Sequence, residues 1–255
     1  MSKTIFMIHG MWGGPWAMET FKAYFEQRGY RCVATTLRHH DRPPGQPPHP
    51  ELGTLSLLDY VSDLEREIDA LGERPIVLGH SMGGLLAQMV AARGRARAAI
   101  LVAPAFPRGI FGTTPSVARS FLSVTSKWGF WKKPHIATFG EVRYSSLNRM
   151  PPATQRAIYD RFVPESGRVV FEIGYWYLDR RKASAVDLER VTCPVLTLVG
   201  EDDRITPAMI VRFVAKRYRR NGTFLRYPGH GHWIMAEPGW ESVAADVETW
   251  IRTHD

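Results

Sequence analysis

Short runs of consecutive apolar residues alternate along the chain with segments whose apolar positions recur at helical spacing. Six runs read as strands: Thr4 to Ile8, Arg31 to Thr35, Ile76 to Gly79, Ala98 to Val102, Val195 to Val199 and Thr223 to Tyr227. Between the first two lies an amphipathic stretch from Trp16 through Phe21 and Phe25, closed by Gly29. Leu57, Val61, Leu64, Ile68 and Leu71 mark another helix, with Ser56 and Asp59 as a capping box and Gly72 as its stop. Thr206-Pro207 supplies a cap and first-turn proline for a further helix. In the last one, Trp240, Val243, Ala244, Val247 and Ile251 share a face. Alternation of this kind predicts an α/β domain whose parallel sheet is wrapped by helices.

Two stretches interrupt the alternation. Arg42 to Pro50 holds five prolines and predicts a surface loop, because proline removes ladder donors and helix bonds alike. Phe106 to about Arg190 holds 14 of the chain's 29 aromatics and no clear parallel strand, Val169-Val170-Phe171 being ambiguous. It reads as an inserted, mostly helical cap (106–190) on a core formed by 1–105 and 191–255. Its aromatics predict an apolar pocket roof. Trp12, Trp128, Trp131, Trp176 and Trp233 are the candidate substrate contacts.

The chemistry centres on Gly79-His80-Ser81-Met82-Gly83-Gly84, which follows a strand-like run and opens the helix-like run from Leu85. A Gly-x-Ser-x-Gly in that setting is a nucleophile elbow, a turn tight enough to demand glycine beside the serine. The competing reading is an ordinary serine capping the next helix. A serine hydroxyl needs a base within reach, and that base needs an acid to orient it. Two later turns supply both in order: Gly200-Glu201-Asp202-Asp203-Arg204-Ile205-Thr206-Pro207, and Gly229-His230-Gly231-His232-Trp233. Each follows a strand, so all three groups are expected at one sheet edge.

With these motifs the chain resembles the α/β-hydrolase fold family over essentially its whole length, in its serine esterase and lipase-like branch. The resemblance implies Ser81 as nucleophile. It implies Asp203 as the acid, with Asp202 as runner-up, and His232 as the base, with His230 as the alternative. It implies an oxyanion hole from the N–H groups of Met82 and Met11, the latter following His9-Gly10, with Trp12 a close second donor. His9 and His80 read as structural. The family's usual first antiparallel strands have no counterpart before Thr4, which predicts about six parallel strands. Aspartate-nucleophile dehalogenases and epoxide hydrolases are disfavoured by Ser81. Hydroxynitrile lyases are disfavoured by Gly10 and Trp233. Carbon–carbon hydrolases and perhydrolases on the same triad stay open, as does a non-catalytic ligand receptor. The expected reaction is hydrolysis of a carboxylic ester with an apolar acyl or aryl group, without cofactor or metal.

Composition narrows the partners. A net charge of +8 raises the question of nucleic acid, but the 33 Lys and Arg are dispersed, and Arg180-Arg181-Lys182 and Lys216-Arg217-Tyr218-Arg219-Arg220 are read as helix-end clusters. No nucleic-acid role is expected. Docking on acidic lipid surfaces is a further class, although no amphipathic basic helix stands out. Cys32 and Cys193 read as buried thiols, and His39-His40 lacks metal-binding neighbours beyond Asp41. No run spans a bilayer, and a cytoplasmic enzyme acting on a small molecule is expected.

Overall fold

A computed structural model describes residues 3–254. Six strands form one sheet: β1 (Thr4–Ile8), β2 (Arg31–Ala34), β3 (Ile76–His80), β4 (Ala98–Val102), β7 (Val195–Gly200) and β8 (Gly222–Tyr227). The intervening β5 (Pro134–His135) and β6 (Glu165–Ser166) make a separate antiparallel pair. The large sheet has the order β2-β1-β3-β4-β7-β8 and every pairing in it is parallel. The six-stranded parallel sheet expected from the sequence is thus present, with each strand end within a residue of its predicted place.

Side chains alternate across each strand, and β1 shows the result. Ile5 and Met7 pack beside Phe21, Phe25, Val243, Val247 and Ile251 on one face. Phe6 and Ile8 pack beside Leu64, Ile68, Leu85, Met89 and Val211 on the other. The helix Met82–Ala91 is buried on all sides, as its largely apolar sequence requires, and its one polar side chain, Gln88, accepts from Tyr218 Oη at 2.8 Å. The capping box at Ser56 forms, with Leu58 N–H donating to Ser56 Oγ and Ser56 N–H to Asp59 Oδ2. The face of the last helix shifts, Trp250 replacing Trp240 among its buried residues.

The chain leaves β1 for the edge strand β2 and then returns to β3 beside β1. That reversal opens a crevice at the carboxyl ends of β1 and β3, where ligands bind in open parallel sheets. Ile8 pairs with Gly79 there, which sets the loop after β1 beside the turn after β3.

Residues 106–190, between β4 and β7, hold short helices and the β5–β6 pair. The ambiguous Val169–Phe171 lies in the helix Gly167–Gly174. Two buried carboxylates fasten this segment. Glu165 accepts from Tyr60 Oη at 2.7 Å and pairs with His40 Nε2 at 3.2 Å. Burial alone would lower the His40 pKa, but the charge and hydrogen bond of Glu165 raise it. Glu172 accepts from Ser56 Oγ and Arg168 Nε, each at 2.8 Å, on Oε1 and from Leu57 N–H at 2.9 Å on Oε2.

Candidate active site

Ser81 follows β3 with φ 54° and ψ −119°, a conformation an L-residue adopts only under constraint. The constraint is packing on both sides. A Cβ on Gly79 would lie 2.0 Å from Gly83 O, and one on Gly83 would lie 2.2 Å from Ile8 O. Ser81 N–H donates to Val102 O at 2.9 Å, and its carbonyl accepts from Ala105 N–H at 2.8 Å, so β4 holds the turn in place. The hydroxyl makes no capping bond to the helix it precedes. A plain helix-cap serine would do the reverse: extended backbone, hydroxyl bonded to the first turn.

After β7, Asp203 is buried and accepts from four donors. Ile205 N–H and Thr206 N–H reach Oδ1 at 2.8 and 2.7 Å. Thr206 Oγ1–H and His232 Nδ1–H reach Oδ2, both at 2.7 Å. The last contact fixes His232 with its proton on Nδ1 and leaves Nε2 as the basic nitrogen. Ser81 and His232 line one small chamber together with Gly10, Met11, Trp12, Ala17, His80 and Trp233. At about 20 Å³ it has room for a single water.

His80 and His9 frame this site without titrating near neutrality. His80 Nε2–H donates to the His232 carbonyl at 2.9 Å, and burial holds its pKa down at about 3. His9 Nδ1–H donates to Gly10 O at 2.8 Å while Nε2 accepts from Leu37 N–H, and burial again holds it at about 3. Glu237, buried in the last loop, accepts from Gly231 N–H at 2.6 Å and Trp233 N–H at 3.1 Å. It brackets His232 on both sides, and burial raises its carboxyl pKa to about 7.

A second, larger cavity of about 410 Å³ begins at Ser81 and Met82 and runs under residues 106–177. Its walls are mostly apolar, with Ile110, Val117, Phe121, Val170, Ile173 and Trp176 among them. Met11 lies at the junction of the two cavities, and Met82 is the first residue of its helix, where N–H groups lack intrahelical acceptors.

The other predicted residues divide. Trp12 and Trp233 line the small chamber and Trp176 the large one. Trp12 carries φ 62°, and its indole N–H donates to His135 O at 3.1 Å. Trp128 and Trp131 line neither cavity. Trp128 is 89% exposed, touching Trp131 edge-on from the outer surface. Asp202 points away to Arg149, 2.5 Å distant. His230 lies beside Glu237 and Tyr227, outside both chambers.

Thr206 was predicted as a helix cap, but the helix begins at Ala208 with Pro207 before it and no side-chain cap. Its hydroxyl bonds Asp203 and Ala103 O instead. The Asp-x-x-Thr spacing, which lets one carboxylate collect nearby backbone and hydroxyl donors, was the available signal. Glu237 had no local signal. His49 and Glu51 do approach His39, with possible ligand atoms within 4.8 Å of one another. The two imidazoles stack face to face at 3.7 Å and 5°, so their in-plane lone pairs run parallel and do not converge on an ion.

The family model of the alpha/beta hydrolase family matches residues 5–245. A non-heme chloroperoxidase from Burkholderia pyrrocinia is 27% identical over 251 residues, covering 88% of this chain and 81% of that protein. A monoacylglycerol lipase from Mycolicibacterium smegmatis is 27% identical over 238 residues, covering 90% and 81%. Among solved structures, the monoacylglycerol lipase of Paleococcus ferrophilus superposes with a TM-score of 0.73 at 24% identity, covering 99% of this chain and 95% of that one. With a matching model along nearly its whole length and a parallel sheet of the same architecture, the chain belongs to the alpha/beta hydrolase family of enzymes.

Proposed function

We propose that the protein hydrolyses carboxylic esters bearing an apolar acyl group, through an acyl-enzyme on Ser81. His232 Nε2 takes the Ser81 proton as Oγ attacks the acyl carbonyl, then passes it to the departing alkoxide. Asp203 holds the imidazole in its working tautomer and stabilises its positive charge. The N–H groups of Met82 and Met11 face the developing oxyanion, each typically worth about a hundred- to a thousandfold in rate. The chamber beside Ser81 seats the water that cleaves the acyl-enzyme, while the acyl chain occupies the apolar cavity under a cap formed by residues 106–190. The observation that carries this reading is the uncapped, left-handed Ser81 sharing a chamber with a histidine already bonded to a buried carboxylate.

The test is turnover of a soluble chromogenic ester by the native chain and by Ser81→Ala. Loss of at least about a thousandfold with the fold retained is expected. Near-native turnover in the variant would remove Ser81 from the mechanism. A second reading follows from the relative named as a chloroperoxidase. Hydrogen peroxide would attack the acyl-enzyme in place of water, releasing a peracid and free Ser81. Peracid formation in the presence of peroxide distinguishes the two readings.

A further inference from the structure

The outer surface of residues 106–190 has two properties that ester chemistry at Ser81 does not use. Five of the chain's large exposed apolar residues lie here: Phe111, Leu122, Trp128, Tyr177 and Leu178, between 50% and 89% exposed. Their rings belong to one continuous series. Trp128 touches Trp131 (5.3 Å between centroids), Trp131 touches Phe171 (6.1 Å) and Phe171 touches Tyr175 (5.8 Å). Tyr175 then meets Tyr177 at 6.5 Å, and Tyr177 meets Phe111 at 5.9 Å. Phe111, Tyr175 and Tyr177 also line the large cavity, so the ridge ends at its wall.

The second property is charge. Residues 106–190 carry fourteen Lys and Arg against seven Asp and Glu, a net +7 out of +8 for the whole chain. The cations are dispersed, but the excess of positive charge falls in this one segment, since the rest of the chain nearly balances its acids. Arg180-Arg181-Lys182 follows Tyr177 and Leu178 in turns, not at a helix end as its sequence implied. Most of the segment's acids are engaged by other groups: Asp160 by Arg156, Glu165 by His40, and Glu172 and Asp179 by Arg168. Glu141 binds Ser123 and Thr138. Lys127, Lys132, Lys133, Arg180, Arg181 and Lys182 are exposed immediately beside the ridge in sequence.

We propose that this face docks the enzyme on an anionic lipid bilayer, with Trp128 and its neighbours at the headgroup level and the flanking lysines and arginines on lipid phosphates and carboxylates. Exposed tryptophan and tyrosine suit the interface because each has an apolar ring and a polar edge. Alternating rings and cations recognise an acidic surface and an apolar layer together, a combination a bilayer offers. Docking in this orientation brings the cavity wall to the membrane. The binding does not rest on the reaction at Ser81 and is measured without it.

The experiment is co-sedimentation of the full chain with vesicles of phosphatidylcholine alone and of phosphatidylcholine mixed with phosphatidylserine. Binding to the mixed vesicles, weakened by salt and much lower on neutral ones, is expected. Each cation near the surface is worth about fivefold, so Lys127→Glu/Lys132→Glu/Lys133→Glu together should cost about a hundredfold or more. Trp128→Ser should cost about tenfold, the scale of one large apolar side chain returned to water. The triple-lysine variant should keep the native thermal midpoint, which shows that it is folded. Equal binding of native and triple-variant chains would overturn the proposal, as would equal binding to neutral and mixed vesicles. Absence of vesicle binding together with a salt-resistant dimer would overturn it in favour of a second copy covering the ridge.

Discussion

Asp203→Asn is the most discriminating single substitution at the site. The Oδ1 position accepts from two backbone N–H groups, of Ile205 and Thr206, so the asparagine carbonyl must take that side. The reverse orientation sets an NH₂ against two buried donors and costs about 1–3 kcal/mol for each unsatisfied group. In the favoured orientation the NH₂ occupies the Oδ2 position, facing Thr206 Oγ1 and His232 Nδ1. Thr206 adapts, since its hydroxyl can accept there and donate to Ala103 O at 3.1 Å. His232 adapts only by accepting at Nδ1, which moves its proton to Nε2 and removes the base. The expected loss is about 10⁴-fold in kcat, or about 5.5 kcal/mol of transition-state stabilisation. Both backbone donors keep an acceptor, so the thermal midpoint should barely move. Steady-state kinetics on a soluble ester beside a thermal melt reads both quantities. Asp202→Asn is the control: its carboxylate makes a partly exposed pair with Arg149, typically worth about 0–1 kcal/mol, and turnover should stay near native. Retention of activity within about tenfold in Asp203→Asn, or a larger loss in Asp202→Asn, would refute the tautomer argument.

Three further outcomes are expected. In a straight-chain ester series, kcat/KM should rise about fourfold per methylene, from about 0.8 kcal/mol each, until the chain fills the cavity; a flat series would empty that cavity of its role. Gly83→Ala places a Cβ 2.2 Å from Ile8 O, a backbone atom with no rotamer to escape into. It should cost about 3 kcal/mol and lower Tm by about 6–12 °C, and an unchanged melt would contradict the packing. His9 and His80 are held neutral down to about 3, whereas in the unfolded chain they take up protons below about 6.5. Their stabilisation is complete above about 6.5 and is lost as pH falls towards 3, with a slope of about 1.4 kcal/mol per pH unit for each. His80→Gln keeps the donor to His232 O and should remove one such slope from urea melts taken between pH 6.5 and 4. An unaltered slope would count against it.

What the sequence conveyed well was whatever neighbouring residues decide among themselves. The strands, the capping box at Ser56 and the elbow at Ser81 are each specified within a few positions by periodicity, propensity and glycine. The order of Ser81, Asp203 and His232 was also legible, because parallel strands deliver their carboxyl ends to one edge. What stayed hidden depends on partners far along the chain. The Thr206 hydroxyl looked like a cap until Asp203 folded back over it. Glu165 and Glu172 carry no local sign of burial, yet Tyr60, His40 and Ser56, more than a hundred residues earlier, hold them in the interior. Trp128 and Trp176 are equally aromatic in sequence, and only packing turns one outward and the other into the cavity.

The same two carboxylates divide the mechanics of the region over Ser81. Around Glu165 and Glu172 the backbone is bolted to the helix Leu57–Ala70 and the loop before it by buried charge-assisted bonds. Residues 111–128, by contrast, make no hydrogen bond to 1–105 or 191–255 among the described residues, and reach the core through side-chain contacts such as Phe121 on Trp12. Val117, Phe121 and Leu122 line the large cavity from the part held by side-chain packing, while Val170 and Ile173 line it from the part held by the buried carboxylates. One wall of the cavity is thus tied to the core by buried charge and the other by apolar contact alone.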